Sequence, residues 1–293
     1  MSGPSIIRVA FQGEPGAYSE AAVYAHFGES AQAVPCETFD AIFAVVEDTS
    51  CRFGLIPIEN SLAGSIHRNY DLLLRYSGDQ GPNSTQKITI VGEHYLRVQH
   101  CLIALPGAEA AEIREVISHP QALAQCEGYL RSMNMKSTAV YDTAGSVRML
   151  KEQGDRALAA IASRRAAEVH QMTILAEGIE DDPANFTRFL AIALENKAEA
   201  LLRQPVESKT SIVFTMKNQP GALFKALSVF ALRDIDLTKI ESRPLVGKPW
   251  EYFFYIDFAG STAETHVAHA LEHLGEYASM LRILGSYPRS RPS

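Results

Sequence analysis

The sequence lacks the features that define several large classes of protein. Among its 293 residues, no apolar run approaches the roughly 20 residues that a membrane-spanning helix needs. Positive charge is not in excess, because the formal net charge is -7 and the pI is about 5.7, which argues against nucleic acid as the main partner. Cysteine is scarce, with 4 residues and no C-x-x-C pair, a pattern typical of reduced thiols in a cytosol and not of a disulfide framework or a zinc site.

The N-terminus leaves little sequence before the first strand pattern. Residues 1–4 run almost directly into an apolar stretch that begins at Ile6, so we expect no signal or transit peptide and a cytoplasmic location. The composition is that of a globular protein, with 46% hydrophobic and 21% charged residues. The length allows two domains, each with its own core.

Strand patterns alternate with helix patterns over residues 1–200. Such alternation is typical of βα units and parallel sheets. The units form two blocks, roughly residues 1–90 with 180–200, and residues 91–180. They predict an α/β catalytic-type domain of two lobes that face each other across a cleft, like that of the periplasmic binding proteins.

Two stretches lack the periodicity of a helix or a strand. Tyr76–Gln86 is rich in Gly, Ser, Asp and Asn and is interpreted as a surface loop. Glu195–Ser208 is charged and contains Pro205, which is typical of a linker. The patterns over residues 208–293 follow the order βαββαβ, so we predict a second domain with the ferredoxin-like arrangement.

Small or polar residues end a strand pattern and begin a helix at five places. Such junctions present free backbone N–H groups and the positive end of a helix dipole, which suit a small anion. The first junction lacks the remaining spacing of a dinucleotide fingerprint, so no nicotinamide or flavin site is expected. Any one junction alone is typical of a capped turn. Together they predict a cleft for a small carboxylated molecule, and they are Gly13–Ser19, Asn60–Ser65, Ser118–Gln121, Asp142–Ser146 and Ser163.

A hydroxyl and a guanidinium stand side by side within Asp181–Leu190. Thr187 and Arg188 lie where a polar run leads into an apolar strand pattern. On their own, a strand-edge threonine and a surface arginine would explain them. Their position at the mouth of a strand makes them candidates for the same cleft.

Five ordered segments carry a resemblance to a known family: Gly13–Glu20, Pro57–Ser65, Ser118–Gln121, Asp142–Gly145 and Asn185–Phe189. They closely resemble motifs of the prephenate dehydratase family, to which the arogenate dehydratases also belong. The resemblance covers essentially the whole chain. It implies conversion of prephenate to phenylpyruvate, with loss of carbon dioxide and water, in L-phenylalanine biosynthesis.

The resemblance also implies which residues form the site. It places the catalytic threonine at Thr187 and puts Asn60, Ser118, Gln125 and Asp142 around the cleft. With further residues of the junctions and of the strand that carries Thr187, the predicted substrate-binding set is Asn60, Ser61, Gly64, Ser65, Ser118, Gln125, Asp142, Thr143, Arg188 and Phe189.

The reaction makes few demands on the protein, because prephenate is its own electron sink. As carbon dioxide leaves, its electrons pass through the ring diene and expel the ring hydroxyl, so no cofactor and no metal are expected. The protein must protonate the departing oxygen and hold the side-chain carboxylate. Thr187 is the predicted donor to that oxygen, and Arg188 is the predicted partner of the carboxylate. Phe189 is expected either to exclude water or to be a core residue.

The C-terminal segment resembles an ACT domain, the amino-acid-sensing module commonly joined to this enzyme. The resemblance implies L-phenylalanine as an allosteric effector, held where Gly221 permits close approach of the backbone, and it implies a homodimer or homotetramer. His266, His269 and His273 have a helical, metal-like spacing, but no fourth ligand is apparent and a solvated helix face is predicted. The predicted effector-binding residues are Asn218, Gly221, Ala222, Leu223, Phe224, Glu241, Ser242, Arg243 and Pro244.

Two alternative functions stay open. One is arogenate dehydratase, whose substrate carries an amino group where prephenate has a keto group. The other is a non-catalytic sensor of a small molecule, since a two-lobed α/β region can serve as a receptor. The pair Thr187 and Arg188 and the expected lack of an export signal argue against the sensor.

Overall fold

A computed structural model describes residues 6–78, 86–198, 207–245 and 247–292. The middle of the predicted surface loop and most of the predicted linker fall outside the described residues. No helix in the described ranges is long and apolar enough to cross a membrane.

The N-terminal region is built from alternating strands and helices. The strand Phe53–Asn60 is mostly buried because one helix covers one face of its sheet and two helices cover the other. Thr38, Asp142 and Ser163 start the helices that follow them, since each side chain accepts a backbone N–H of the first turn. In chain order the elements are β1 (Arg8–Gln12), α1 (Tyr18–Phe27), β2 (Gln32–Cys36), α2 (Phe39–Glu47), β3 (Phe53–Asn60), β4 (Gly64–Ser65), α3 (His67–Tyr76), β5 (Ile88–Arg97), β6 (Cys101–Ala104), a 3-10 helix (Ala110–Glu112), β7 (Glu115–Ser118), α4 (Pro120–Ala124), α5 (Glu127–Ser132), β8 (Lys136–Ala139), α6 (Thr143–Gln153), β9 (Leu158–Ala162), α7 (Arg164–His170), β10 (Thr173–Glu177), β11 (Phe186–Leu194) and α8 (Glu195–Ala198).

Each lobe has one mixed sheet. The first sheet has the order β2-β1-β3-β11-β5, with β4 paired to β3 and with β11 antiparallel to both of its neighbours. The second has the order β10-β6-β9-β7-β8, in which β6 is antiparallel to β9 and β10. The predicted two-lobed α/β fold is confirmed. Antiparallel strands join the parallel pairs because the segments that connect the lobes bring the chain back in the opposite direction.

Two segments connect the lobes and run side by side. They are residues 98–100, between β5 and β6, and residues 178–185, between β10 and β11. The N–H of Val98 donates to the carbonyl of Asn185 at 2.8 Å. Because β5 stays in the first sheet as far as Arg97, the second lobe begins later than the expected boundary at residue 90.

A bulge interrupts the ladder between β3 and β11. Ile58 is skipped, since β11 pairs first with Glu59 and then with Pro57. Proline has no N–H to donate and, within a central strand, occurs at bulges. Pro57 therefore helps to fix the register, which sets Thr187 opposite Asn60.

The C-terminal domain has the predicted ferredoxin-like order, and this prediction is confirmed. Its four strands form a sheet with the order β13-β14-β12-β15, and both of its helices pack on one face. The elements are β12 (Ser208–Met216), α9 (Ala222–Ala231), β13 (Leu237–Pro244), β14 (Tyr252–Ala259), α10 (Thr265–Tyr277) and β15 (Ala278–Pro288).

The other face of the C-terminal sheet packs directly on the first lobe. Val213, Tyr255 and Leu284 belong to the same apolar cluster as Ile90 of β5. Gly285 permits this close approach, because a Cβ at that position would overlap the backbone of Ile90. The two domains therefore share one core and are not joined by a linker alone.

Besides the two-residue β4, two strands, β2 and β10, have no counterpart in the sequence patterns. Both are edge strands of 5 residues, and neither contains a fully buried residue. An edge strand of this kind buries too little apolar surface to leave a clear alternation in the sequence.

His26, in the last turn of α1, gives the fold a pH dependence. Burial, with a smaller effect from His94, lowers the pKa of His26 from its ordinary value of 6.5 to about 4. Between these values the unfolded chain binds a proton that the folded chain does not. The free energy of unfolding should therefore fall as the pH is lowered from about 7 to about 5.

The variant His26→Phe tests this because it keeps a ring beside Phe27 but cannot titrate. Urea titrations at the two pH values should give it a smaller pH dependence than the parent chain. His266→Phe, at an exposed histidine, is the control. Equal pH dependence in His26→Phe and the parent would contradict the assignment.

Candidate active site

A cavity of about 910 Å³ lies between the two lobes. The turn Gly13–Ser19 lines it from the first lobe, and Asp142–Gly145 and Ser163 line it from the second. Three of the five junctions predicted to form a cleft therefore border this cavity. The junctions Asn60–Ser65 and Ser118–Gln121 do not line it.

The lobes touch each other beside the cavity. The Ser163 hydroxyl donates to the carbonyl of Gly16 at 2.6 Å and accepts the N–H of Ala166 at 3.0 Å. Gly16 has a φ of 91°, and a Cβ there would overlap the backbone of Ala166. Glycine is therefore required at this contact.

Asp142 and Thr143 form the cavity wall at the start of α6. The Asp142 carboxylate accepts the N–H of Gly145 at 2.8 Å, so one of its oxygens caps the helix. A Cβ at Gly145 would overlap the other oxygen. The carbonyl of Thr143 accepts the hydroxyl of Ser146 at 2.6 Å. Asp142 is thus both a cap and a cavity residue.

Among the described cavity-lining residues, Glu14, Glu37, Asp142 and Arg148 carry full charges. Arg148 of α6 pairs with Glu14 of the other lobe at 3.3 Å. Both side chains are about half exposed, so this pair contributes little to stability. Arg148 can therefore exchange its partner at small cost.

Thr187 and Asn60 face each other on β11 and β3, next to the segments that connect the lobes. The amide oxygen of Asn60 accepts the N–H groups of Leu62 and Ala63 at 3.0 and 2.9 Å, which fixes the amide orientation. Its Nδ2 then lies within hydrogen-bond distance of three acceptors, which are the Asn185 amide oxygen at 2.8 Å, the Thr187 hydroxyl oxygen at 3.0 Å and the carbonyl of Phe186 at 3.2 Å. No described residue accepts the Thr187 proton. A hydroxyl that accepts one hydrogen bond donates a second more strongly, although Thr187 and Asn60 are not among the residues that line the larger cavity.

The turn after Asn60 is fastened to the segment before Thr187. The Ser61 hydroxyl donates to the carbonyl of Ala184 at 2.8 Å and accepts the N–H of Phe186 at 2.9 Å. Gly64 closes the turn with a φ of 83°. The predicted substrate-binding residues Ser61 and Gly64 therefore hold the loop that orients Asn60.

A chain of hydrogen bonds runs through Tyr18, His100 and the predicted substrate-binding residue Gln125, and sequence reasoning missed the first two. Tyr18 lines the cavity, its hydroxyl lies 2.7 Å from His100 Nδ1, and His100 Nε2 lies 2.8 Å from the amide oxygen of Gln125. Burial lowers the pKa of His100 against the opposing effects of Gln125 and Glu180, so the ring is neutral at pH 7. Nε2 then donates to Gln125, and Nδ1 is an acceptor for the Tyr18 proton, as is the carbonyl of Gln99 at 3.0 Å. Tyr18 stands in a motif segment, but nothing in the sequence marks His100.

Two predicted substrate-binding residues lie inside the lobes. Ser118 is fully buried and donates to the carbonyl of Ile161 at 2.6 Å. Phe189 is also buried and belongs to the apolar cluster of the first lobe that contains Phe11. Neither side chain lines the cavity. Phe189 is therefore a core residue, and Ser118 uses its hydroxyl to join two strands.

Arg188 lies away from the cavity, and its expected role is corrected. Neighbouring residues of a strand face opposite sides of the sheet, so Arg188 cannot share the Thr187 side. Its guanidinium bonds to Glu93 at 2.9 Å, Asp257 at 2.6 Å, Glu59 at 3.2 Å and Tyr287 at 3.1 Å. Because these groups occupy its donors, it does not hold the carboxylate of a ligand in the cleft.

Arg188 belongs to a group of three cations and three carboxylates in the described chain. Its members are Arg188, Lys209, Lys239, Glu59, Glu93 and Asp257. We call this group the charge cluster. Burial alone would lower the pKa of Arg188, but the carboxylates, Asp257 foremost, raise it above its ordinary value. Burial and Arg188 lower the pKa of Lys209, although Glu93 opposes the shift. Removing one partner of a buried pair typically costs about 3–5 kcal/mol, so the cluster is energetically important.

Ser65 contacts the C-terminal domain and not the cavity. Its hydroxyl donates to Glu241 at 2.6 Å and accepts from Lys239 at 3.2 Å. Further along β13, Arg243 donates to Asp71 at 2.8 Å. The predicted substrate-binding residue Ser65 and the predicted effector-binding residues Glu241 and Arg243 therefore lie at the interface between the domains.

A second cavity, of about 180 Å³, lies at the start of α9. Gly221 caps this helix with a φ of 77°, in the region that favours glycine. The segment 241–244 does not line the cavity, and its residues Ser242 and Pro244 are exposed. The two predicted effector motifs are therefore apart within one chain. The lining includes Asn218, Gly221, Ala222, Leu223, Phe224, Trp250 and Tyr252.

The histidines of α10 lie at the protein surface. His273 lies 2.6 Å from Arg233, and His266 lies 3.8 Å from Glu264. In the part of the chain that the structure describes, no group of three His, Cys, Asp or Glu side chains could hold a metal ion.

Two family models match the chain, one in each domain. The model described as prephenate dehydratase matches residues 9–197, and the model described as ACT domain matches residues 210–272. The chain belongs to the prephenate dehydratase family. It carries the family's ACT domain in the position that the sequence predicts.

Individual relatives of this prephenate dehydratase family member extend over nearly the whole chain. "Arogenate dehydratase/prephenate dehydratase 2, chloroplastic" of Arabidopsis thaliana is 47% identical over 98% of this chain and 74% of the relative. The prephenate dehydratase of Arthrobacter aurescens, solved with L-Phe, is 30% identical with a TM-score of 0.84, covering 97% of this chain and 90% of the other. GqqA, described as a novel type of quorum quenching acylase, is 36% identical with a TM-score of 0.86, covering 97% and 98%.

The cap at the cavity wall gives a prediction about stability. Gly145→Ala should destabilise the protein by about 1 kcal/mol, because the new Cβ displaces the Asp142 carboxylate from its capping position. Gly275→Ala is the matched control, since that helical position has open space and should gain about 0.5–1 kcal/mol. Urea unfolding of both variants measures the difference. Equal stabilisation by the two changes would show that the cap is not under this constraint.

Proposed function

We propose that the chain is a dehydratase that converts prephenate to phenylpyruvate, with arogenate as the alternative substrate. The observation that carries the proposal is the hydrogen bond of 3.0 Å from Asn60 to Thr187, which leaves the threonine proton free for a ligand. The family membership and the names of the relatives, which cover both substrates, support it.

In the proposed reaction, carbon dioxide leaves the ring and its bonding electrons expel the ring hydroxyl. Thr187, whose hydroxyl oxygen accepts a hydrogen bond from Asn60, donates a hydrogen bond to that departing oxygen, which leaves as hydroxide and takes up a proton from solvent to give water. Arg148 is the cation among the charged residues that line the larger cavity, which supports it as a partner of the side-chain carboxylate. The reaction needs no further electron sink.

The test is the release of carbon dioxide and phenylpyruvate from prephenate by the purified chain. Steady-state rates on prephenate and arogenate, measured side by side, decide between the two substrates. A chain that binds phenylalanine but releases no carbon dioxide from either substrate would be a sensor and would refute the proposal.

Thr187 supplies the sharpest prediction about activity. Thr187→Ala should lower kcat by about 10² to 10⁴, the usual effect of losing a proton-transfer group. Thr187→Ser keeps the hydroxyl beside Asn60 and should retain most of the activity. Steady-state kinetics of the two variants provide the comparison. If the serine and alanine variants are equally impaired, the hydroxyl has no such role.

We further propose that L-phenylalanine binds in the smaller cavity and inhibits the enzyme. The carboxylate of the effector would meet N–H groups at the start of α9, and its ring would lie near Leu223 and the aromatic wall. The exposed Ser242 and Pro244 of a second copy are available to complete the site, which supports a homodimer. The L-Phe in the Arthrobacter aurescens structure supports the identity of the effector.

Gly221→Val should weaken inhibition by phenylalanine, because a β-branched residue is strained at positive φ and fills the helix start. Gly28→Val is the control, since Gly28 also has a positive φ but lies at the end of α1. Isothermal calorimetry and inhibition curves measure both variants. A Gly221→Val enzyme that phenylalanine inhibits at the parent concentration would move the effector site elsewhere.

We also propose a reducing compartment such as the cytoplasm. All 4 cysteines are free in the described structure, and three of them are buried. Free buried thiols are typical of proteins that work where disulfides do not persist.

A further inference from the structure

The charge cluster is not used by the proposed reaction, yet it lies directly behind the proposed hydroxyl donor. The Arg188 and Glu93 side chains are 3% and 0% exposed. Charges buried to this extent are tolerated only when close partners hold them in good geometry. The guanidinium is therefore one of the most tightly held groups in the first lobe.

The ladder between β3 and β11 relates this group to the active site. Thr187 pairs with Asn60, and the next pair along is Arg188 with Glu59. The first pair faces one side of the sheet and the second pair faces the other. Because Thr187 and Arg188 share a peptide unit, fixing the Arg188 side chain also fixes the backbone that directs the Thr187 hydroxyl.

Two of the four groups that fix Arg188 come from the C-terminal sheet, and the other two, Glu93 and Glu59, come from the first lobe. Asp257 of β14 accepts from its Nη1 at 2.6 Å, and Tyr287 of β15 accepts from its Nη2 at 3.1 Å. These two partners are themselves held by Ser211, which lies 2.5 Å from Asp257 and 2.6 Å from Tyr287. The C-terminal sheet thus presents a rigid acceptor to the catalytic strand.

We propose that Arg188 is a positioning residue for Thr187, held in place by Asp257 and Tyr287 of the C-terminal domain. The inference rests on the proposed function, in which Thr187 donates to the leaving hydroxyl. Arg188 touches no substrate, and it acts by setting the backbone of β11. The C-terminal sheet is then a structural support of the active site in addition to its proposed effector site.

The main variant is Asp257→Asn. Asparagine keeps the size of the side chain and one acceptor oxygen, but it removes the negative charge from Arg188. Small displacements of a catalytic group are costly, so kcat should fall between about tenfold and a hundredfold. KM should change little, because the variant disturbs a transition-state contact and not the cavity lining.

Asp71→Asn is the matched control. It removes the negative charge that pairs with Arg243 at 2.8 Å, in another ion pair between the same two domains that includes no residue of the charge cluster. It should leave kcat unchanged. An equal loss of kcat in Asp71→Asn and Asp257→Asn would overturn the inference, because weaker packing of the two domains against each other would then explain both losses.

A double-mutant cycle separates positioning from a merely structural role. If Asp257 acts through Thr187, Asp257→Asn should cost less than about twofold in the Thr187→Ala background, where there is no hydroxyl left to direct. A structural role would lower kcat by the same factor in both backgrounds, and that result would overturn the inference. If Asp257→Asn does not fold, Tyr287→Phe takes its place in the cycle, because it keeps the ring but removes the acceptor for Arg188.

The same experiment distinguishes this inference from the proposed function. A parent chain that releases no carbon dioxide from prephenate or arogenate would overturn both. A parent activity that depends on the Thr187 hydroxyl, combined with equal losses in the two backgrounds, would overturn the inference alone.

Discussion

Alternation along β11 is the constraint on which the rest of the structure depends. Successive residues of a strand face opposite sides of its sheet, so Thr187 and Arg188 cannot serve the same site. Thr187 meets Asn60 on one side, and Arg188 meets Glu93 and Asp257 on the other. Two adjacent residues of β11 therefore connect the hydroxyl that is proposed to react with the packing of the second domain.

Burial strengthens the attractions within the charge cluster, and it also makes the cluster sensitive to the loss of any one partner. An ion removed from water costs several kcal/mol, which only close partners and hydrogen bonds offset. Those partners are divided between two domains, so the cluster is complete only when the C-terminal sheet is seated on the first lobe. The shared apolar core that contains Val213 and Leu284 supplies a less directional attraction. A slip of that sheet by one residue would leave buried charges without partners, so the two contributions together define one arrangement.

Most of the fold, but only part of the candidate site, can be predicted from the sequence, and the difference has physical reasons. The order of the C-terminal elements is predicted because the strands are 8 to 11 residues long and the two helices are amphipathic, so that each leaves a clear local pattern. The edge strands β2 and β10 bury too little to do so. The period of a strand is enough to separate Thr187 from Arg188, but it does not reveal what lies behind the sheet, since Asp257 is 69 residues away. In the same way, His100 and Gln125 are 25 residues apart, and their bond exists only because the connecting segments meet the second lobe.

The strand β13 connects the C-terminal domain directly to the strands that carry Asn60 and Thr187. Its inward side chains Lys239 and Glu241 bond to Glu59 and Ser65, and Glu59 is the neighbour of Asn60 on β3. A displacement of β13 would therefore change the partners of Glu59, which also pairs with Arg188. Since close-packed cores and buried ion pairs switch between discrete arrangements more readily than they deform, such a displacement would reach β3 and β11 as a step and not as a gradual strain. A change in the C-terminal domain would thus reach the proposed hydroxyl donor from behind the sheet, although no described residue of that domain lines the larger cavity.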